Sequence, residues 1–149
     1  MFSHIEKSMF AAIAGVMLIS IGACKGEILQ DNTKRDILTT GSWRLASYTA
    51  YTMTGSTDVY ASYPDCEKDN VYHFNKNGTL DIDEGAAICS VYDPPSYSVR
   101  WGFSNAQQTE IKIDGTDFIL TSISDNEFEL STCFYSGCGA DFVSITYRR

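Results

Sequence analysis

In several stretches after Trp43, hydrophobic and polar positions alternate with a period of two residues. Val99, Trp101 and Phe103 share one face of an extended stretch, with Arg100 and Gly102 on the other. Phe128, Leu130 and Thr132 oppose Glu127 and Glu129, and Ile111 and Ile113 oppose Lys112. Such alternation marks strands that turn one face to a core and the other to water. Eight strands are expected, at Trp43–Tyr51, Val71–Phe74, Thr79–Asp83, Ser98–Phe103, Thr109–Asp114, Asp117–Ile123, Glu127–Phe134 and Asp141–Tyr147. Asp117–Ile123 and Asp141–Tyr147 carry apolar residues on both faces, which leaves their orientation open. Turns fall at Asn77-Gly78, Asn105–Gln108, Asp114-Gly115, Asp125-Asn126 and Ser136-Gly137, all residue types that tolerate turn geometry. Two longer loops remain, Met53–Asp69 and Gly85–Tyr97. Ahead of the strands, Asn32 or Thr33 is placed to cap a short helical turn through Lys34–Leu38, which Gly41 breaks. Short consecutive strands joined mostly by tight turns predict an all-β antiparallel meander. Closing it into a small eight-stranded up-and-down barrel removes the exposed edges.

The chain before these strands has a different pattern. Met9 to Ala23 carries no charge, and its only hydroxyl is Ser20. This is the length of a signal-peptide core and short for a spanning helix, which needs about 20 apolar residues. It ends in Ile21-Gly22-Ala23-Cys24, which resembles the lipobox of bacterial lipoproteins: a branched residue, two small residues, then cysteine. The resemblance implies removal of residues 1–23 and a lipidated Cys24 as the mature N-terminus. Three acyl chains there exceed the two signals that stable anchoring requires. Lys25 rather than Asp follows the cysteine, so nothing argues for inner-membrane retention. The expected location is the cell envelope, lipid-anchored in the outer membrane on its periplasmic or its outer face. Residues 24–37 then form the tether and 38–149 the barrel domain.

Setting Cys24 aside leaves Cys66, Cys89, Cys133 and Cys138, and four cysteines allow three pairings. Facing residues of a hairpin have a constant index sum. With Phe74 set opposite Thr79 across the Asn77-Gly78 turn, Cys66 and Cys89 fall nearly opposite, out of step by a bulge. Cys133 and Cys138 flank the loop Phe134-Tyr135-Ser136-Gly137 and face each other across it. The predicted disulfides are therefore Cys66–Cys89 and Cys133–Cys138. A zinc site would want a Cys-x-x-Cys knuckle, which is missing, and the expected compartment is oxidising.

Charge and motifs narrow the function. The net charge is −8, so phosphate-rich partners are repelled and no nucleic-acid binding is expected. His73 stands without a candidate nucleophile, and Asp81, Asp83 and Glu84 lack the order of an EF-hand loop. There is no Gly-x-Ser-x-Gly elbow, Walker loop or His-Glu-x-x-His helix. No enzyme, cofactor or metal is expected. Asn77-Gly78-Thr79 matches a glycosylation sequon but equally makes a hairpin turn. The 19 aromatics, of 149 residues, suggest two uses. Tyr72, Trp101, Phe103, Phe118 and Phe128 line an apolar cup for a small ligand, or they simply fill the core. Tyr48, Tyr51, Tyr60 and Tyr63 surround the first long loop and suit a rim for a ligand or a protein.

Gly41-Ser42-Trp43, opening the first strand after a helical turn, is similar to the Gly-x-Trp entry motif of lipocalins. In that family the Trp plugs the closed end of the barrel and a basic residue of the last strand packs over it, a part that Arg148 or Arg149 would take. Leu38, Gly41-Ser42-Trp43-Arg44-Leu45, Cys66-Glu67-Lys68-Asp69-Asn70, Tyr72, Phe74, Asn77-Gly78-Thr79, Cys89 and Trp101 together resemble the lipocalin-like domain of small lipoproteins from Bacteroidetes-type bacteria. The resemblance covers about Leu38 to the C-terminus. It implies the barrel fold, from which a ligand does not follow. The leading expectation is a membrane-anchored lipoprotein that binds a small hydrophobic or amphipathic ligand without catalysis. The alternative is a filled barrel acting as a protein-interaction or inhibitor module in the envelope, because so short a barrel can be filled by its own side chains.

Overall fold

The expected strands form, and one more appears in what reads as a loop. The computed structural model describes residues 32–133 and 141–149. The elements are helix α1 (Asn32–Thr39), strands β1 (Trp43–Thr52) and β2 (Gly55–Asp58), a 3-10 turn (Tyr60–Ser62), helix α2 (Asp65–Lys68), and strands β3 (Val71–Phe74), β4 (Thr79–Asp83), β5 (Ser96–Phe103), β6 (Glu110–Ile113), β7 (Thr116–Ile123), β8 (Glu127–Cys133) and β9 (Phe142–Arg148). The signal segment with Cys24, and the Cys133–Cys138 pair through Cys138, lie outside the described residues. No described helix is long and apolar enough to cross a membrane.

All nine strands belong to one antiparallel sheet in the order β2-β1-β3-β4-β5-β6-β7-β8-β9. β1 also pairs with β9, from Arg44↔Arg148 to Tyr51↔Phe142, and this closes the sheet into a ring. β2 pairs only with the outer half of β1, so it lies beside the ring. The segment Met53–Asp69 is thus not a bare loop. β3 is short and meets β1 only at Trp43↔Tyr72 and Arg44↔Val71. Beyond Arg44 that edge of β1 would stand unpaired, and Gly55–Asp58 folds back to cover it. The 3-10 turn and α2 then carry the chain back to β3.

Two local expectations shift. α1 runs for two turns, with Asn32 and Thr33 inside it rather than ahead of it. Its C-terminus is closed by the Thr39 hydroxyl donating to Arg35 O (2.9 Å) and Thr40 donating to Asp36 O (2.7 Å). Across the β3–β4 turn Phe74 pairs with Leu80, not Thr79. Asn75 N–H donates to Thr79 O, Gly78 N–H donates to Asn75 O, and Gly78 takes φ +86°. That is a three-residue loop with a left-handed glycine, which adds a residue to the simpler turn.

The ring has a packed end and an open end. α1, the turns after β3, β5 and β7, and the chain terminus gather at the packed end. There Leu38, Trp43, Ile111 and Phe128 are wholly buried, with Phe74, Leu80, Trp101, Leu120 and Leu130 nearly so. Trp43 Nε1–H donates to Leu38 O at 2.9 Å, and its ring meets Phe128 edge-on at 4.8 Å. Arg149, rather than Arg148, lies over Trp43 at 4.4 Å and donates to Ile37 O at 2.7 Å, so the end of the last strand locks α1 onto the ring. Arg148 instead pairs with Glu127. From α1, Arg35 covers Trp101 and Phe103.

At the open end, the long β4–β5 loop is held against α2. Cys66 and Cys89 form a disulfide with Cα atoms 5.2 Å apart. Asp69 Oδ2 accepts from the backbone N–H groups of Ala86 (2.8 Å) and Ala87 (2.9 Å). Asn70, buried, donates its amide to Cys66 O and Glu84 O. Gly85 is required here: it has φ +75°, and a Cβ would stand 2.5 Å from Asp69 O. The Cys-x-x-Asp-Asn segment is therefore a clamp on that loop.

Candidate functional site

The inner face changes character along the ring. A continuous run of ring contacts leads upward from the packed end, through Phe103–Trp101, Trp101–Phe74, Phe74–Phe128, Phe128–Tyr147 and Tyr147–Tyr72. Below, Trp101, Phe74 and Phe128 are sealed, with Phe103 half-buried beside them. Above, the inward residues Tyr48, Tyr72, Val99, Ile145 and Tyr147 are only partly buried, and Tyr97 is 44% exposed. Inward residues that keep solvent contact define a cup that opens away from α1.

Register places four tyrosines around this cup, and a ring contact adds a fifth. Tyr72, Ile82 and Tyr97 pair across β3, β4 and β5 in one row, on the face where Ile82 is buried. Tyr147 pairs with Leu45 and Phe128, and its ring meets Tyr72 at 5.1 Å and 77°. Tyr48 pairs with Ile145 on that same face. The segment that bridges β1 and β3 adds Tyr63, which meets Tyr48 edge-on at 5.6 Å. None of the five hydroxyls hydrogen-bonds to a described residue, and none is sealed from solvent. A phenol hydroxyl taken into a protein normally finds a partner, so these donors and acceptors are free for a guest.

Four of these phenols shift in the same direction, with burial the first cause in each. Burial pushes Tyr72 up to about 12, helped by Tyr97, Tyr63, Glu67 and Glu84. Burial likewise raises Tyr147, with Tyr72, Tyr63, Tyr48 and Tyr97 adding to it. Tyr63 and Tyr97 are raised first by burial and then by neighbours that include Glu67, with Glu84 also acting on Tyr97. A phenol held neutral in the folded chain, while the unfolded chain ionises near the ordinary value of 10.0, gives a defined pH dependence. The contribution is complete below pH 10.0 and is lost as the pH rises through about 12. Urea midpoints measured across that window should fall, and should fall less in Tyr72→Phe and Tyr147→Phe. Equal falls in the parent and both variants would remove the buried phenols as the cause.

The residues predicted for the site separate in space. Trp101 (5% exposed) and Phe128 (0%) belong to the packed core, and Phe103 and Phe118 pack against it half-buried. Tyr72 reaches the cup. Of the expected rim, Tyr48 and Tyr63 meet there. Tyr60 lies instead under Lys68 at 5.2 Å, and Tyr51 stacks on Phe142 at 4.6 Å on the outer face. Gly41 (φ +79°) and Trp43 stand at the packed end. Tyr97, Tyr147, Glu67 and Glu84 escape a linear reading. Tyr97 falls in the expected loop Gly85–Tyr97, whereas β5 begins two residues earlier than its alternation suggests, at Ser96, and Tyr147 sits in a strand whose faces look alike.

Elsewhere, His73 Nε2 lies 3.4 Å from Asp83 on the outer face, and Asp81 accepts from Ser98 and Asn75, which holds its carboxyl below the usual carboxylate range. Among the described residues no three His, Cys, Asp or Glu side chains gather as a ligand set for a metal. A shallow outer groove of about 480 Å³ crosses Gly102 between Arg100 and Lys112. No known protein family, curated protein or solved structure matches the chain.

Proposed function

We propose that this chain is a membrane-anchored, lipocalin-like lipoprotein whose ring holds a small hydrophobic or amphipathic molecule without catalysing any change in it. The observation that carries this reading is the half-open inner face, where aromatic surface is partly accessible and five phenol hydroxyls lack partners among the described residues. A guest there would be held by apolar contact with the rings and oriented by a few polar groups, the usual division of labour in a ligand pocket. The test is native mass spectrometry of the protein extracted from its membrane, before and after organic extraction. A discrete mass beyond the acyl chains, absent from a denatured control, is the expected result. A mass accounted for by lipid and disulfides alone, unchanged after incubation with a panel of hydrophobes, would overturn it.

One feature favours a second reading, an interaction or inhibitor module. On the clamped β4–β5 loop, Val91 (90% exposed) and Tyr92 (92%) stand at the tip of a turn closed by Asp93 N–H to Ser90 O at 3.0 Å, and Ile88 is also exposed. Apolar side chains displayed on a rigid loop suit docking into a partner, because little conformational freedom is lost. Loss of a captured partner in Val91→Ser with Tyr92→Ser, with no cargo in either protein, would favour this module.

A further inference from the structure

The cup carries uncompensated negative charge beside its aromatic faces. Glu67 stands on α2, which leads into the clamp, and Glu84 directly follows β4 in phase with the inward Leu80 and Ile82. Neither carboxylate has an ion-pair or hydrogen-bond partner among the described residues. The nearby cations are committed elsewhere: Lys68 to Asp65 and the Tyr60 ring, Arg44 to Asp69 O. No Lys or Arg acts on the four perturbed phenols, whereas Glu67 acts on three of them and Glu84 on two. Converging tyrosine rings present negative π faces, their free hydroxyl oxygens accept hydrogen bonds, and two carboxylates supply full charge.

We infer that the cup selects an organic cation, an amine or quaternary ammonium attached to an apolar body, with Tyr48, Tyr63, Tyr72, Tyr97 and Tyr147 as its cage and Glu67 and Glu84 as its counter-charge. This rests on the ligand-binding reading above and narrows its guest. An aromatic cage attracts a cation through the ring quadrupoles, and more strongly once the cation is desolvated. The apolar body lies along Val99, Ile145 and the upper edge of the aromatic run. The anionic counterpart meets only repulsion, because no cation lines the described wall.

The experiment is calorimetric titration of the full protein with three probes of similar skeleton: phenethylamine, phenethyl alcohol and phenylpropanoate. The amine is expected to bind about tenfold or more tighter than the alcohol, with the carboxylate weakest. In Glu67→Gln with Glu84→Gln the amine and the alcohol should converge, and the alcohol's own affinity should be unchanged. Both positions are at least partly exposed, so the variant keeps its fold, which its urea midpoint checks. Equal binding of amine and alcohol by the parent would overturn the cation inference and leave the cup standing as an apolar site. An amine preference that survives in the double variant would also overturn it, by placing the charge recognition elsewhere. Failure of all three probes, and of the hydrophobe panel, would overturn the cup itself.

Discussion

Trp43→Ala is expected to cost about 4 kcal/mol, a large part of the roughly 5–15 kcal/mol that holds a domain folded. Trp43 is wholly buried and is the largest fully buried side chain among the described residues. Three separate losses combine in this one change. Removing the indole leaves a cavity against Phe128, whose ring it meets at 4.8 Å. Leu38 O loses the N–H that donates to it at 2.9 Å, and a buried carbonyl without a partner costs about 1 kcal/mol or more. Arg149 loses the ring that it covers at 4.4 Å, and with it part of the attachment of α1. Trp43→Phe keeps a ring in the cavity and should cost about half as much, while Arg149→Ala should cost only about 1 kcal/mol. Urea midpoints followed by the fluorescence of Trp101 measure all three, since Trp101 remains in each variant. A Trp43→Ala midpoint close to the parent's would show that the packed end does not depend on this plug.

Replacing Cys66 and Cys89 together by serine is expected to cost about 3.5 kcal/mol, from closure of a loop spanning a sequence separation of 23. Changing both residues leaves no lone thiol to pair elsewhere. The loss should not be independent of the rest of the clamp. Asp69 holds Ala86 and Ala87, and Asn70 holds Cys66 and Glu84, all within the same contact between α2 and the β4–β5 loop. Asp69→Ala should therefore cost a different amount in the disulfide-free protein than in the parent, because the two changes act on one loop. A set of four urea midpoints, for the parent, each change and their combination, checks this. Strict additivity would mean that the disulfide and Asp69 hold separate parts of the structure. A midpoint unaffected by the serine pair would mean that the clamp is carried by hydrogen bonds alone.

The strands that reason well from sequence are those whose alternation is uninterrupted. Val71–Phe74 and Thr79–Asp83 run between the residues expected, and β5, β6 and β8 are recognised with small shifts at their ends. Alternation fails where a bulge changes which parity faces inward. In β1 the partners step from Leu45 to Ser47, so Trp43 and Leu45 face in at one end but Tyr48 faces in at the other. In β7 the step from Leu120 to Ser122 does the same, so that Leu120 and Ile123, three residues apart, both face in, opposite the buried Leu130 and Phe128. An extra residue in one strand reverses every side chain beyond it, and no count of apolar positions in that strand alone can reveal it.

What the sequence determined by itself is local or compositional. The all-β class follows from period-two patterning, the breaks from Gly and Asn at turns, the Cys66–Cys89 pair from hairpin spacing, and the buried tryptophan from its place at the first strand's start. Only the tertiary structure decided the register at which β1 meets β9, that Gly55–Asp58 becomes a ninth strand, and that Arg149 rather than Arg148 covers Trp43. It alone brought Tyr48, Tyr63, Tyr72, Tyr97 and Tyr147 to one cup, from five segments spread between β1 and β9. The reason is physical. Alternation and turn chemistry act over a few residues and are written along the chain, whereas register, bulge parity and the meeting of distant side chains depend on how the strands pair, and that is settled by the packing of the whole sheet.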